Sequence, residues 1–299
     1  MGQETSSIHR VSGVSRPAVA DGPALAWGSR TFVMGVVNAT PDSFSGDGCG
    51  DDVEAAVARG LAHVAAGAAI LDVGGESTRP GAVPVPADVE AARVLPVVAA
   101  LRQRTGVPIS VDTYKPEVAD AALQAGASII NDVCGLRERS RMAEIAVAHG
   151  AALLIMHSRQ AAPSVDALGG MYPEVPYADL VGEIVCELRA AAGRAMAVGL
   201  ARKAIWLDPG LGFGKTPAQS LEVLRRLREL HLGHPLVIGP SRKSFIGRVV
   251  EEPPSRRDPG TAAAVALCVA GGADAVRVHN VTMMVPVARV ADAVVRGWP

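Results

Sequence analysis

Short apolar runs rich in β-branched residues recur along the chain, each closed by a polar or glycine-bearing cluster. They cover residues 32–37, 69–73, 108–111, 128–130, 152–156, 204–207, 235–238 and 275–278. Continuous apolar runs of this length read as strands buried on both faces, as in a parallel sheet. Alanine-rich stretches with helical spacing lie between them. "DDVEAAVARGLAHVAAGA" (51–68) opens on an Asp cap and an acidic first turn and ends near Gly67. Residues 86–106 start in a similar way and stop at a glycine, and "KPEVADAALQAGA" (115–127) places Pro116 in its first turn. Residues 217–230 and 281–297 complete the larger set. Pro286 would disturb the last of these unless that helix begins near it.

Eight strands alternating with eight helical stretches predict an α/β fold, a single (β/α)8 TIM barrel over residues 27–299. An open doubly wound sheet is the alternative. It is disfavoured because the count is eight and no GxGxxG follows the first strand. Residues 1–26, rich in Ser, Pro, Gly, Ala and Val without a period, read as a flexible N-terminal tail.

Composition narrows the class. A chain of 299 residues, 49% hydrophobic and 20% charged, can bury most of its apolar surface unaided. A net charge of −1 provides no global basic field for nucleic acid or anionic lipid, so neither is expected as a partner. Cys49, Cys134, Cys186 and Cys268 form no CxxC pair, which argues against a structural zinc site or a disulfide framework. Reduced thiols, the lack of a signal-type N-terminus and the lack of a membrane-length apolar run lead to an expected cytoplasmic location.

The unusual chemistry sits where the strands end. In chain order the tips are Asn38 with "ATPDSFS", "GGESTRP" (74–80), "DT" (112–113), "ND" (131–132), "MH" (156–157), "DPGLGFGKT" (208–216), "GPSRKS" (239–244) and "RVHN" (277–280). In a barrel these share the C-terminal rim, where barrel active sites are built. "DPGLGFGKT" looks like a Walker A loop but fails by one position. Counting back from Gly214-Lys215-Thr216, the first glycine should be residue 209, which is Pro209. Singly, Asp112 and Asn131 read as turn formers, His157 as a packed rim residue, Lys215 as a solvated helix-start residue and Arg79 as surface. Their convergence on one rim shifts that balance.

The set has a chemical sense. Arg277 and His279 alternate, so both face one side and suit a phosphate or diphosphate. Asn38 offers a hard amide oxygen for Mg2+ held partly by substrate phosphates. Asp112 and Asp208 suit the ring N–H and amino groups of a heterocycle, and Lys243 suits a ring carbonyl or nitrogen. Neither a Ser-His-Asp arrangement nor HExxH is visible. The inventory therefore points to orientation and leaving-group stabilisation rather than covalent catalysis.

The stretches "MGVVNATPDSFS" (34–45), "DVGGESTRPGA" (72–82), "SVDTYKPEVA" (110–119), "INDVCG" (130–135), "LDPGLGFGKT" (207–216), "SRKSFIG" (241–247) and "VRVHNV" (276–281) together resemble the dihydropteroate synthase family. The resemblance implies a (β/α)8 barrel that condenses 6-hydroxymethyl-7,8-dihydropterin diphosphate with p-aminobenzoate, yielding dihydropteroate and pyrophosphate for folate synthesis. By position it implies that Asp112, Asn131, Asp208 and Lys243 hold the pterin. Asn38, Thr78, Arg277 and His279 would hold the diphosphate, with Mg2+ on Asn38. Asp42, Ser43 and Phe44, with Ser77, Thr78, Arg79 and Pro80, would close over the site and shape the p-aminobenzoate pocket, together with Arg242, Lys243 and Ser244. Asp42, Asp112, Arg277 and His279 are the implied catalytic set, and a homodimer is the implied assembly. The chain departs from the family pattern at "GDGCG" (46–50), Pro240 and "MHSRQ" (156–160), the last resembling sulfonamide-insensitive members. Two other readings stay open: a pterin-binding methyltransferase domain and a catalytically silent pterin-binding paralogue.

Overall fold

The computed structural model describes residues 25–40, 52–77, 82–136, 141–159, 164–166, 169–172 and 175–297. Its strands are β1 (Phe32–Asn38), β2 (Ile70–Gly74), β3 (Ile109–Asp112), β4 (Ile129–Asp132), β5 (Ala152–Met156), β6 (Ser164–Asp166), β7 (Gly169–Met171), β8 (Ile205–Asp208), β9 (Val237–Ile238) and β10 (Ala275–Val278). The helices are α1 (Val53–Ala65), α2 (Ala87–Arg104), α3 (Pro116–Ala125), α4 (Met142–His149), α5 (Leu180–Ala197), α6 (Pro217–Arg225), α7 (Ser244–Val250), α8 (Asp258–Ala270) and α9 (Val281–Arg296).

Eight strands pair in parallel in the order β8-β5-β4-β3-β2-β1-β10-β9. The sheet closes where Leu207 bridges Leu236 and its N–H donates to the Pro235 carbonyl at 2.9 Å. This is the expected TIM barrel. Two details differ from the sequence reading. The antiparallel hairpin β6–β7 follows β5, arising from a polar, glycine-bearing stretch that carries no apolar period. Two helices rather than one separate β9 from β10, giving nine α-helices among the described residues. The break falls where Glu251 adopts φ 55° and Pro253-Pro254 follows, a pair that cannot continue a helix.

The helix signals act locally as their chemistry dictates. The Asp52 carboxylate accepts from the Ala55 N–H at 3.0 Å and opens α1. Pro116 starts α3, and left-handed Gly126 (φ 116°) ends it. Thr216 and Gln219 form a reciprocal capping box for α6. α9 runs through Pro286 and starts instead at Val281, capped by Asn280.

Alternation along the strands sorts the core into two layers. Outward residues such as Val33, Val37, Leu71, Val73, Val111, Ile130 and Leu207 pack against the helices. Phe32, Met34, Ile70, Ile129, Ala152, Leu154, Trp206, Val237 and Ala275 fill the barrel interior. Leu25 and Trp27 pack against this inner cluster from the chain's first described residues. Trp27 meets Phe32 and Trp206 edge-on at 5.3 Å and 4.9 Å between ring centroids. Trp206 is 3% exposed. Replacing it with alanine empties the centre of the barrel, and Trp206→Ala is predicted to cost about 3–5 kcal/mol of unfolding free energy in a urea titration.

Candidate active site

Two residues further along the same inward faces, the chemistry changes. Ile70 gives way to Asp72, Ile129 to Asn131, Trp206 to Asp208, and Ala275 to Arg277. Strand register aligns Asn38, Gly74, Asp112 and Asn131 side by side across four strands. Into this row reaches Arg277 from β10. Its Nε donates to Asp72 Oδ2 and its Nη2 to Asp112 Oδ2, both at 2.6 Å. Asn131 Nδ2 donates to the same Asp72 oxygen at 3.1 Å.

One oxygen of each acid is left over. Asp72 Oδ1 and Asp112 Oδ1 are buried without a hydrogen-bond partner among the described residues. Buried acceptors are ordinarily satisfied, so this pair marks a place for a donor from outside the chain. Burial raises the Asp112 carboxyl to about 7, against the pull of Arg277, with Asp72 adding to the rise. The two acids hold the guanidinium of Arg277 charged, above its ordinary range, although its burial works the other way.

Asp208 faces this group from β8. Its Oδ1 accepts from the Gly210 N–H at 2.7 Å, and burial raises its pKa despite that bond and the nearby cations Lys243, Lys215 and Arg277. Gly239 lines the floor, where a Cβ would stand at an ordinary contact distance of 3.9 Å from both Asp208 Oδ2 and the Arg277 Cβ. The Lys243 ammonium sits over the Phe213 ring, 4.1 Å from its centroid.

The turn that carries Lys243 is held by one half-buried ion pair and by a buried arginine. Arg242 adopts φ 57° and grips Asp258 with two bonds, at 2.8 Å and 3.1 Å. Arg257, 1% exposed, donates to the carbonyls of Glu252, Arg242 and Lys243. His279 meets Ser241 Oγ through both its N–H and its Nδ1. Ser244 opens α7, and Ser77 follows β2; both are half-buried.

The structure thus brings Asp112, Asn131, Asp208, Lys243, Arg277, His279 and Asn38 to one end of the barrel. Arg242 spends its guanidinium on Asp258. Asp42, Ser43, Phe44, Thr78, Arg79 and Pro80 lie outside the described residues. Lys215 is corrected: far from being a solvated helix start, it is 1% exposed, and burial pushes its ammonium down to about 7. Sequence reasoning missed Asp72, whose signal was a carboxylate inside an apolar run, and Arg257. It also missed the anchor beneath "GGES", where Lys115 bridges Glu76 and Glu90 while Glu76 accepts from Tyr114 and the Val85 N–H. Among the described residues no cluster of three or more His, Cys, Asp or Glu is placed to cage a metal, and no helix is long and apolar enough to cross a membrane.

Comparison with known proteins agrees with this geometry. The profile of the family described as "Pterin binding enzyme" matches residues 34–279. The dihydropteroate synthase of Synechocystis sp. is 44% identical over 272 residues, covering 90% of this chain and 92% of its own. The crystal structure of the Xanthomonas albilineans dihydropteroate synthase with 4-aminobenzoic acid superposes with a TM-score of 0.81 at 41% identity, covering 91% of this chain and 95% of that one. Its complex with 7,8-dihydropteroate gives 0.78 at 39% identity over the same shares. Barrel, rim chemistry and relatives lead to one assignment: the chain belongs to the dihydropteroate synthase family, whose members are transferases.

Proposed function

We propose that this rim joins 6-hydroxymethyl-7,8-dihydropterin diphosphate to p-aminobenzoate, releasing pyrophosphate and forming dihydropteroate. The observation that carries the reading is the pair of buried, unsatisfied carboxylate oxygens on Asp72 and Asp112, set beside the Asn131 amide and opposite Asp208. An aminopterin presents several N–H donors along its ring edge, and such acceptors satisfy them. Lys243 supplies the complementary donor to the ring. Arg277 uses two donors of its fork on the acids, and the remainder, with His279, can meet the diphosphate. The loops bearing Asp42, Ser43 and Phe44 and Thr78, Arg79 and Pro80, with Ser77, Arg242 and Ser244, border the p-aminobenzoate side in this reading.

The exocyclic C–O bond breaks first, and its electron pair leaves with the diphosphate. Asp112 offsets the positive charge left on the pterin methylene and ring. The arylamine nitrogen then forms the C–N bond and loses its proton to solvent, needing no strong base. Mg2+ fits this chain through one hard oxygen, the half-buried Asn38 amide at the end of β1, with substrate phosphate and water as further ligands. When bound there, Mg2+ neutralises charge on the departing diphosphate. A cytoplasmic setting accords with the free thiols of Cys186 and Cys268.

We place the contact of a homodimer on α8 and α9, which expose Leu267 at 61% and, along an apolar groove, Val290 and Val294 at 66% and 81%. Sedimentation at micromolar concentration is expected to give a dimer, and charged substitutions at Leu267 and Val290 a monomer. A wild-type monomer refutes this contact.

Purified protein is expected to release pyrophosphate only when both substrates and Mg2+ are present. Binding of pterin diphosphate without release identifies the silent paralogue instead. Asp208→Ala and Lys243→Ala are each expected to weaken pterin diphosphate binding by about tenfold or more, the worth of one charged hydrogen bond. The raised pKa of Asp112 sets a pH dependence as well. Its ionised form is the useful one, so kcat/KM for pterin diphosphate should rise as pH increases through about 7. Asp112→Asn should lower and flatten that profile; an unchanged rise assigns it to another group.

A further inference from the structure

The lysine of the failed Walker motif has a different role. Lys215 turns into the loop that carries it, with Nζ 2.8 Å from His157 Nδ1, 3.0 Å from the Gly210 carbonyl and 3.1 Å from the Phe213 carbonyl. These three, with the more distant His157 carbonyl at 3.5 Å, take up the donors of an ammonium. On the far side of the imidazole, His157 Nε2 lies 3.0 Å from Glu187 Oε2 on α5, a charge contact that is not aligned as a hydrogen bond. A carboxylate there favours the proton on Nε2, which leaves Nδ1 with the lone pair that Lys215 needs. Glu187 is itself held by Arg159, whose Nη2 donates to its other oxygen at 2.6 Å.

Each carbonyl under Lys215 stands one step from a pterin-binding group. The Gly210 N–H holds Asp208 Oδ1, and the Phe213 ring lies beneath the Lys243 ammonium. The His157 N–H also donates to the Asp208 carbonyl at 2.8 Å, tying the ends of β5 and β8 together. Glycine makes this closeness possible. A Cβ on Gly210 would stand 1.9 Å from the His157 carbonyl oxygen, and one on Gly214 would stand 2.1 Å from that of Arg159. The charged groups facing Lys215 are Asp208 from β8, Glu187 from α5, Arg159 after β5 and Lys243 before α7.

We propose that Glu187, His157 and Lys215 form a relay that fixes the 208–214 loop, making Lys215 a positioning residue that sets pterin affinity through Asp208 and Lys243. The inference rests on the pterin-binding reading of those two residues.

Calorimetric titration of pterin diphosphate onto the full chain tests it, alongside the KM for p-aminobenzoate and the melting temperature. Lys215→Met is expected to weaken pterin diphosphate binding about tenfold while the p-aminobenzoate KM moves less than about twofold. Glu187 is half exposed, so Glu187→Gln provides a variant that keeps the fold. It is expected to weaken pterin binding by a smaller factor and to shift the 15N resonances of His157 away from the Nε2–H tautomer. Unmoved pterin affinity in both variants overturns the relay. So does an equal loss for both substrates that tracks a lower melting temperature, and so does an unshifted His157 spectrum in Glu187→Gln. Wild-type protein that binds no pterin diphosphate overturns the functional reading and this inference's premise with it. Wild-type binding with unmoved variants overturns the relay alone.

Discussion

One guanidinium holds the working end of this barrel together. Arg277 comes from the last strand and ties down Asp72 and Asp112 from the second and third, so groups far apart in sequence share one charge network. The arrangement costs desolvation of three ions, and burial dominates the rise of Asp112. An ion cluster of this kind gives little net stability. It gives position: both carboxylates point one oxygen at Arg277 and leave one for a ligand. Removing Arg277 would leave two buried acids repelling each other across the same space.

The opposite wall follows the same logic with the signs reversed. Lys243 needs to hold a cation at the mouth, and its turn is fixed from beneath by Arg257, which ties the Arg242 and Lys243 carbonyls to that of Glu252. Asp258 takes the Arg242 guanidinium and the Asn280 amide, joining the turn to the start of α9. Left-handed Arg242 is tolerated because these bonds over-determine it. The Asp72–Asp112 pair and Lys243 therefore stand on separate supports, Arg277 under the acids and Arg257 under the lysine turn, on either side of the space between.

The strand pattern was legible because parallel barrel strands are buried on both sides and read as apolar runs. The same feature hid Asp72. Inside 69–73 a lone carboxylate carries no period of its own, although alternation puts it on the inward face with Ile70 below it. Lys215 was misread for the complementary reason: a lysine at a helix start is ordinarily solvated, and nothing local shows that His157, 58 positions away, supplies its partner. Arg242 was legible as a rim residue but not as the partner of Asp258, since an ion pair sixteen positions apart leaves no periodic signal. The hairpin β6–β7 and the split of α7 from α8 depend on turns and prolines rather than on apolar spacing. The polar tips gave the site because eight of them have to meet once the strands close.

That closure links stability to chemistry through a single step of the strand. Inward residues change from packing groups to binding groups over two positions, Ile129 to Asn131 and Trp206 to Asp208 among them. A slip of one residue would turn Asp72, Asn131, Asp208 and Arg277 outward into the helix layer and bring Leu71, Ile130, Leu207 and Val276 inward. The apolar layer with Trp27 and Trp206 therefore does more than hold the barrel shut. By favouring one register on every strand, it places each charge above it, and folding energy spent on the lower layer becomes the precision of the upper one.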